Sequence, residues 1–188
     1  MDDKASAKKI ITLPNILSLF RLMLIPLFCV VYVRHNNYEL AAVILFVSGL
    51  SDIVDGFVAR RFNMVSDVGK VLDPIADKLT QLAVLGCLIS RFRRMIVPCV
   101  LLGAKELATG VAGLIAVKKT GIVCSAEWHG KLTTLLLYTM MAMHILWHNI
   151  PQAASELAIG LCVAVMLLSF VLYSIRNIRM IAGKYVHK

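Results

Sequence analysis

Four aspartates stand at helical spacing within one stretch of the 188-residue chain, and they are the residues best able to do chemistry. Asp52 and Asp55 are three positions apart, and Asp73 and Asp77 follow four positions apart. Residues three or four positions apart share one face of a helix. Clustered carboxylates need a cation to remain ionised together. Oxygen-only ligands suit Mg²⁺ or Mn²⁺, and two such ions can stabilise charge during phosphoryl displacement, so we predict a divalent-metal site.

Small residues share the same two helical faces. Gly56 and Ala59 follow Asp55, and Gly69 precedes the second aspartate pair. Their size would let a bulky group approach the helix backbone, and the adjacent Arg60 could neutralise a diphosphate. A short loop joins the two segments, so we expect antiparallel helices whose acidic faces oppose each other.

The composition is that of a membrane protein. Hydrophobic residues make up 59% of the chain, and 20 Lys and Arg stand against 11 Asp and Glu. No basic helix with interleaved aromatic residues is present, which argues against a nucleic-acid partner. Cytoplasmic loops of membrane proteins collect Lys and Arg and lie against anionic lipid, which explains the basic excess better.

Six apolar segments are long enough to cross a bilayer as helices. They are Leu13–Val33, Leu40–Ala59, Val71–Ser90, Met95–Val117, Leu132–Asn149 and Ala154–Ile175. We therefore predict an all-α integral membrane protein: one domain over residues 1–188, with a bundle of six transmembrane helices and a short cytoplasmic segment at residues 1–12. With the N-terminus inside, thirteen Lys and Arg lie near inner helix ends and four near outer ends, which predicts that both termini are cytoplasmic.

The aspartate stretch resembles the signature of the CDP-alcohol phosphotransferases. The pattern D-x2-D-G-x2-A-R-x8-G-x3-D-x3-D is met at every fixed position, by Asp52, Asp55, Gly56, Ala59, Arg60, Gly69, Asp73 and Asp77. Within that family, the bacterial phosphatidylglycerophosphate synthases carry stretches similar to three in this chain, LPNILSLFRLMLIP, LDPIADK and HGKLTT. The likeness implies a protein of the bacterial cytoplasmic (inner) membrane, with its active site facing the cytoplasm.

The resemblance also implies roles for individual residues. Metal would be bound by Asp52, Asp55, Asp73 and Asp77, and the CDP group by Asp52, Gly56, Ala59, Arg60, Gly69 and Asp73. Asp77 would be the catalytic base, deprotonating an alcohol that displaces CMP from CDP-diacylglycerol. Whether the metal is Mg²⁺ or Mn²⁺, whether displacement is direct or double, and whether the protein is a homodimer all stay open.

The favoured acceptor is glycerol 3-phosphate, a dianion that needs fixed positive charge. Lys131, Lys105 and Arg21 are the candidate acceptor-binding residues, although Arg21 and Lys105 could instead pair with acids. Phosphatidylglycerophosphate synthases usually carry Arg-Glu in the fourth helix and another Arg eight residues after the first. Here the pair is Lys105–Glu106 and the later position is Gly113. A cardiolipin synthase, with phosphatidylglycerol as acceptor, is therefore the alternative within the family.

A function from another class also fits clustered intramembrane acids. They could line a path for metal ions or protons in a transporter, since ionisable residues within membrane helices mark such pathways. That reading predicts polar residues through to the outer face, and the remaining helices show few. His144 and His148 have helical spacing but no further ligands nearby in the sequence, so we expect packing rather than a metal site.

Overall fold

The computed structural model describes residues 13–61, 69–120, 128–147 and 149–181. The predicted N-terminal segment, residues 1–12, lies outside this part of the chain, as does His148. Some helical residues are described by their backbone alone. These include Asp55, Gly56, Ala59, Arg60 and Gly69.

The described residues are helical and contain no β-strand, which confirms the predicted fold class at that level. The long helices are α1 (Leu13–Cys29), α2 (Tyr38–Arg61), α3 (Gly69–Ile89), α4 (Ile96–Thr120), α5 (Trp128–Leu146) and α6 (Gln152–Ile181). A π-helical turn, Val30–Arg34, continues α1, and a 3₁₀ turn, Arg93–Met95, leads into α4. Each long helix overlaps one of the six apolar segments identified in the sequence.

Three of the described helical stretches are long and apolar enough to cross a membrane. They are Asn15–Arg34, Arg93–Ile115 and Gln152–Met180. Helices α2 and α3 carry the aspartates and several basic residues, which lower their hydropathy, and α5 includes Lys131 and two buried histidines.

The chain divides into two compact units, Met1–Ser90 and Arg91–Lys188. In the first, α1 packs along both α2 and α3, whereas α2 and α3 make little contact with each other among the described residues. We expected α2 and α3 to oppose each other directly; α1 instead provides a surface common to both. Phe28 on its buried face lines an apolar recess together with Ile44 of α2 and Val84 of α3.

The second unit is arranged in the same way around its last helix. Helix α6 packs against both α4 and α5. Leu102, Leu137, Met141 and Met166 are fully buried there, whereas many large apolar side chains elsewhere on these helices are exposed. An exposed apolar surface of this kind suits a lipid environment.

Helix α3 begins at Gly69, two residues before the apolar segment that starts at Val71. Because α3 starts at Gly69, Pro74 lies in the second turn and leaves the carbonyl of Lys70 without its usual helical partner.

Candidate functional site

The first helix has a buried polar face. Asn15, Ser18 and Arg21, spaced three positions apart, are 7%, 0% and 2% exposed respectively. Polar side chains in an otherwise apolar helix are costly to bury unless they have partners. Ser18 and Arg21 each contact a signature aspartate.

Arg21 forms an ion pair with Asp52 of α2. The distance from Arg21 Nη1 to Asp52 Oδ1 is 2.6 Å, and the Asp52 side chain is half exposed whereas that of Arg21 is buried. A buried guanidinium is stabilised by an opposite charge at this distance, because its desolvation would otherwise be uncompensated. Of the two roles foreseen for Arg21, acceptor binding and pairing with an acid, the structure displays the pairing.

Ser18 makes the corresponding contact with α3. Its hydroxyl donates a hydrogen bond to Oδ1 of Asp73. Ser18 and Arg21 are three residues apart, so their positions on α1 differ by about 4.5 Å along the helix axis. Asp52 and Asp73, which are far apart in the sequence, therefore meet the same helix on adjacent turns.

The fourth aspartate of the signature has partners on its own helix. The side-chain amide of Gln81, one turn later on α3, donates a hydrogen bond to Oδ2 of Asp77 at 3.1 Å. Lys78 Nζ lies 3.8 Å from the same oxygen and 3.4 Å from Oε1 of Gln81. Gln81 is fully buried, so it supports Asp77 from the interior of the unit.

The donor chemistry of these side chains fits a hard divalent cation. Asp52, Asp73 and Asp77 offer only carboxylate oxygen, the ligand type that Mg²⁺ and Mn²⁺ prefer. Among the side chains that the structure describes, which exclude Asp55, no three acidic, His or Cys groups are close enough to hold an ion. Of the four predicted metal ligands, Asp52 and Asp73 both contact α1. The predicted CDP contacts of Gly56, Ala59, Arg60 and Gly69 lie outside the described side chains.

A second polar cluster, of opposite charge, lies in the second unit around Tyr173 of α6. Arg176 places its guanidinium carbon 4.7 Å from the centre of the Tyr173 ring, and Lys105 Nζ of α4 lies 5.7 Å from the same centre. Lys105 is only 5% exposed. Glu106 Oε1 lies 3.5 Å from Lys105 Nζ.

The beginning of α5 completes this cluster, which we call the Tyr173 cluster and define as Lys105, His129, Tyr173 and Arg176. The His129 ring packs edge-on against Tyr173 at 4.5 Å, and its Nδ1 lies 3.1 Å from the hydroxyl of Ser169. A Cβ on Gly130 would lie 3.2 Å from Cζ of Tyr173 and closer still to the hydroxyl. Glycine is therefore needed at position 130 while Tyr173 keeps this position.

The predicted acceptor residues fall in different surroundings. Lys105 belongs to the Tyr173 cluster, Lys131 is exposed on α5, and Arg21 is engaged with Asp52 in the first unit. Gly113 has open space where a side chain would begin, because no atom lies within 4 Å of a Cβ built there. The absence of the expected arginine at Gly113 is therefore not imposed by crowding.

His144 is held within the bundle as predicted for a packing residue. Its Nδ1 lies 2.8 Å from the carbonyl of Met140, so this nitrogen donates, and Nε2 accepts from the hydroxyl of Ser155 at 2.9 Å. The ring also packs edge-on against Phe92 at 4.9 Å. Both nitrogens of His144 are thus occupied by protein groups.

Sequence reasoning missed Ser18, Gln81, Tyr173 and Arg176. A signal existed for Ser18, since Asn15, Ser18 and Arg21 recur every three residues in an apolar run, and intramembrane polar residues mark function. Arg176 was counted only as a basic residue at a helix end. No pattern in the sequence joins it to Lys105, because the two meet only through packing of α4 on α6.

Comparison with known proteins connects these features. The profile of the CDP-alcohol phosphatidyltransferase family matches residues 11–178. The chain is 34% identical over 137 residues to the CDP-diacylglycerol–glycerol-3-phosphate 3-phosphatidyltransferase of Rickettsia typhi, covering 71% of this chain and 75% of the relative. Its identity to the protein of the same name from Aquifex aeolicus is 29% over 175 residues, covering 89% and 97%.

A relative with a different name matches a shorter region. The cardiolipin synthase (CMP-forming) of Streptomyces coelicolor is 38% identical over 89 residues, covering 45% of this chain and 41% of the relative. The family match spans both units, from α1 into α6, and includes the whole aspartate signature. This chain belongs to the CDP-alcohol phosphatidyltransferase family and is an enzyme of phospholipid biosynthesis.

Proposed function

We propose that this enzyme transfers the phosphatidyl group of CDP-diacylglycerol to glycerol 3-phosphate, giving phosphatidylglycerophosphate and CMP. The observation that carries the proposal is the meeting of Asp52 and Asp73 on adjacent turns of α1. It unites the two halves of a signature that spans more than twenty residues of sequence. The names of the relatives from Rickettsia typhi and Aquifex aeolicus support the choice of acceptor.

The four aspartates of the signature are the proposed ligands of two Mg²⁺ or Mn²⁺ ions. Bound ions would neutralise the diphosphate and stabilise the departing CMP. Asp52 and Asp73 would also help hold the CDP group, together with Gly56, Ala59, Arg60 and Gly69. This assignment makes α2 and the start of α3 the donor-binding part of the protein.

Asp77 is the proposed general base. Its carboxylate takes the proton of the attacking hydroxyl as that oxygen forms its bond to the phosphorus of the phosphatidyl group. The bond from the same phosphorus to the CMP oxygen breaks, and CMP leaves with the electron pair. A hydrogen bond from Gln81 holds one oxygen of Asp77, which limits rotation of the carboxylate during proton transfer.

The Tyr173 cluster is the proposed source of positive charge for the acceptor phosphate. Arg176 and Lys105 lie on one aromatic ring, and Lys131 follows His129 and Gly130 at the start of α5. Charge held in a poorly hydrated position attracts a dianion more strongly than the same charge in water. Glycerol 3-phosphate carries its phosphate as a terminal dianion, whereas phosphatidylglycerol presents only a phosphodiester.

All six long helices are proposed to span the inner membrane of a bacterium, with both termini and the active site on the cytoplasmic side. The distribution of Lys and Arg along the sequence supports this orientation. Helices α2 and α3 would tolerate their charges because α1, the bound cations and the substrate shield them from lipid. Labelling of single introduced cysteines from either side of sealed vesicles tests the topology.

The first experiment measures CMP release by the purified protein in detergent with CDP-diacylglycerol and Mg²⁺. Glycerol 3-phosphate, phosphatidylglycerol and inositol phosphate are supplied in parallel. We expect release that depends on glycerol 3-phosphate and falls by about 10²- to 10⁴-fold in the Asp77→Asn variant, the range typical of a lost general base. Glu39→Gln, which removes an exposed carboxylate at the start of α2, is the matched control.

Cardiolipin synthesis is the second candidate, and a specific feature favours it. Gly113 replaces the arginine expected in the fourth helix, and a cardiolipin synthase is among the relatives. Release of CMP with phosphatidylglycerol and not with glycerol 3-phosphate would establish this candidate and refute the first. Release with neither acceptor, from protein that unfolds cooperatively on heating, would refute both.

A further inference from the structure

The polar face of α1 contacts both halves of the aspartate signature in the same manner. Ser18 donates to Oδ1 of Asp73, and Arg21 pairs with Oδ1 of Asp52. Both anchoring side chains are almost fully buried, with Ser18 at 0% and Arg21 at 2% exposure. Neither residue belongs to the signature, and both come from a helix with no acidic residue of its own.

A carboxylate held at one oxygen behaves differently from a free one. Rotation about its last side-chain torsion is broad and two-fold, so an unanchored carboxylate samples many orientations. A donor that fixes one oxygen selects the direction in which the other is presented. Groups that orient a metal ligand in this way typically contribute about 10- to 100-fold in metal affinity or activity.

We infer that Ser18 and Arg21 are positioning residues that set the orientation of Asp73 and Asp52, so that α1 organises the metal site without binding metal itself. This inference rests on the proposed function, since it takes Asp52 and Asp73 to be metal ligands. The two anchors belong to one rigid helix, about 4.5 Å apart along its axis. Helix α1 therefore sets the relative orientation of the two carboxylates as well as that of each one.

The assignment changes the role of Arg21. We predicted that it binds the acceptor, but its charge is engaged 2.6 Å from an Asp52 oxygen and its side chain is buried. An acceptor phosphate would have to compete with this carboxylate for the guanidinium. Positive charge for the acceptor is left to Lys105, Lys131 and Arg176 of the second unit.

A merely structural role for the same contacts is the competing explanation. Buried polar side chains can join helices without influencing any ligand, and their loss would then lower stability alone. Ser48 of α2 offers a matched comparison, because it is 4% exposed in the same unit and lines an apolar recess with Leu24 and Thr80. No described contact joins Ser48 to a signature aspartate.

The test measures binding of Mn²⁺ alone to the purified full-length protein in detergent, by loss of the electron paramagnetic resonance signal of free Mn²⁺. We expect Ser18→Ala to raise the Mn²⁺ dissociation constant by about 10- to 100-fold. Ser18→Thr retains the hydroxyl and should restore affinity to within about threefold. Ser48→Ala should bind as the wild type does. Thermal unfolding of each variant reports its stability separately.

Ser18→Cys covers the case in which the alanine variant does not fold. The thiol has nearly the volume of the hydroxyl but is a weak donor, so the Mn²⁺ dissociation constant should again rise. Wild-type affinity in a folded Ser18→Ala or Ser18→Cys protein would overturn the inference for Ser18. Failure of the wild type to bind Mn²⁺ would overturn it altogether.

Arg21 is tested by separating kcat from KM. Arg21→Gln should lower kcat for CMP release by about 10- to 100-fold while the KM for glycerol 3-phosphate changes by less than about twofold. Arg21→Lys, which can still pair with Asp52, should recover most of the loss. A large rise in the acceptor KM at unchanged kcat would instead assign Arg21 to the acceptor and refute its positioning role.

These measurements separate the inference from the proposed function. Mn²⁺ binding needs neither CDP-diacylglycerol nor an acceptor, so a wild-type protein that binds Mn²⁺ but releases no CMP would refute the function alone. A Ser18→Ala protein that binds Mn²⁺ normally within an active enzyme series would refute the positioning role alone.

Discussion

The two units of this enzyme share an arrangement and differ in charge. In the first, α1 packs against α2 and α3, and in the second, α6 packs against α4 and α5. Ser18 and Arg21 of the first unit contact aspartates of neighbouring helices, whereas Lys105 and Arg176 of the second unit lie on one aromatic ring. Similar helix packing thus accommodates different polar contacts in the two units.

The manner in which charge is held also differs. Asp52 and Asp73 are partly exposed and are fixed by donors from a neighbouring helix. Lys105 is buried and lies against the face of Tyr173, with the Glu106 carboxylate 3.5 Å from its Nζ. In the proposed function, the first arrangement orients metal ligands for reaction, and the second serves recognition of the acceptor phosphate. This division predicts that variants of the first unit affect kcat and those of the second affect the acceptor KM.

The largest effect is expected from removing a carboxylate of the first unit. Asp73→Asn should reduce kcat for CMP release by more than about 100-fold, exceeding the loss typical of a residue that merely orients a ligand. Glu156→Gln of the second unit, whose partner is Arg94 at 2.6 Å, is the control and should stay near wild-type activity. Equal losses of kcat in the two variants would contradict the proposed division of roles between the units.

Loss of a cation from the Tyr173 cluster should act on the acceptor. Arg176→Met should raise the KM for glycerol 3-phosphate by about 10- to 100-fold with little change in kcat, because a hydrogen bond to a charged group contributes about 1.5–3 kcal/mol. Steady-state CMP release over a range of acceptor concentrations measures this. Arg179→Met, an exposed arginine one turn further along α6, should leave KM unchanged.

A smaller effect is expected from crowding Tyr173. Gly130→Ala would press a methyl group against the tyrosine ring, and overpacking of this kind costs about 1–3 kcal/mol of stability. We expect a lower thermal unfolding midpoint and an acceptor KM raised less than in Arg176→Met. Gly160→Ala, placed where no atom lies within 4 Å of the new Cβ, is its control. Unchanged stability and KM in Gly130→Ala would show that Tyr173 is free to move.

The smallest expected effect is a lower KM for the acceptor. Gly113→Arg would add a positive charge to α4 in open space, two turns beyond Lys105. We expect the KM for glycerol 3-phosphate to fall by about two- to fivefold, in keeping with about 0.2–1 kcal/mol for a solvent-accessible ion pair. Gly110→Arg on the same helix tests whether any added arginine has this effect. A raised KM in Gly113→Arg would indicate that this position approaches the acceptor too closely for an added side chain.

The fold was largely predictable, because long apolar runs separated by basic or polar residues predict helices without reference to packing. The residues at which helices begin and end were less predictable. The apolar run begins at Val71 but α3 begins at Gly69, because hydropathy does not mark the residue where helical hydrogen bonding starts.

The sequence by itself determined the chemical class of this protein. Four aspartates at spacings of three and four residues share helical faces, which predicts a cation site, because helical periodicity depends only on local geometry. A CDP-linked substrate follows from the resemblance of this pattern to the family signature. Tertiary structure alone decided which other residues support that chemistry. Ser18 reaches Asp73 across 55 positions of sequence, and Lys105 meets Arg176 only through the ring of Tyr173. Such partners are selected by the packing of one helix on another, which local spacing does not encode.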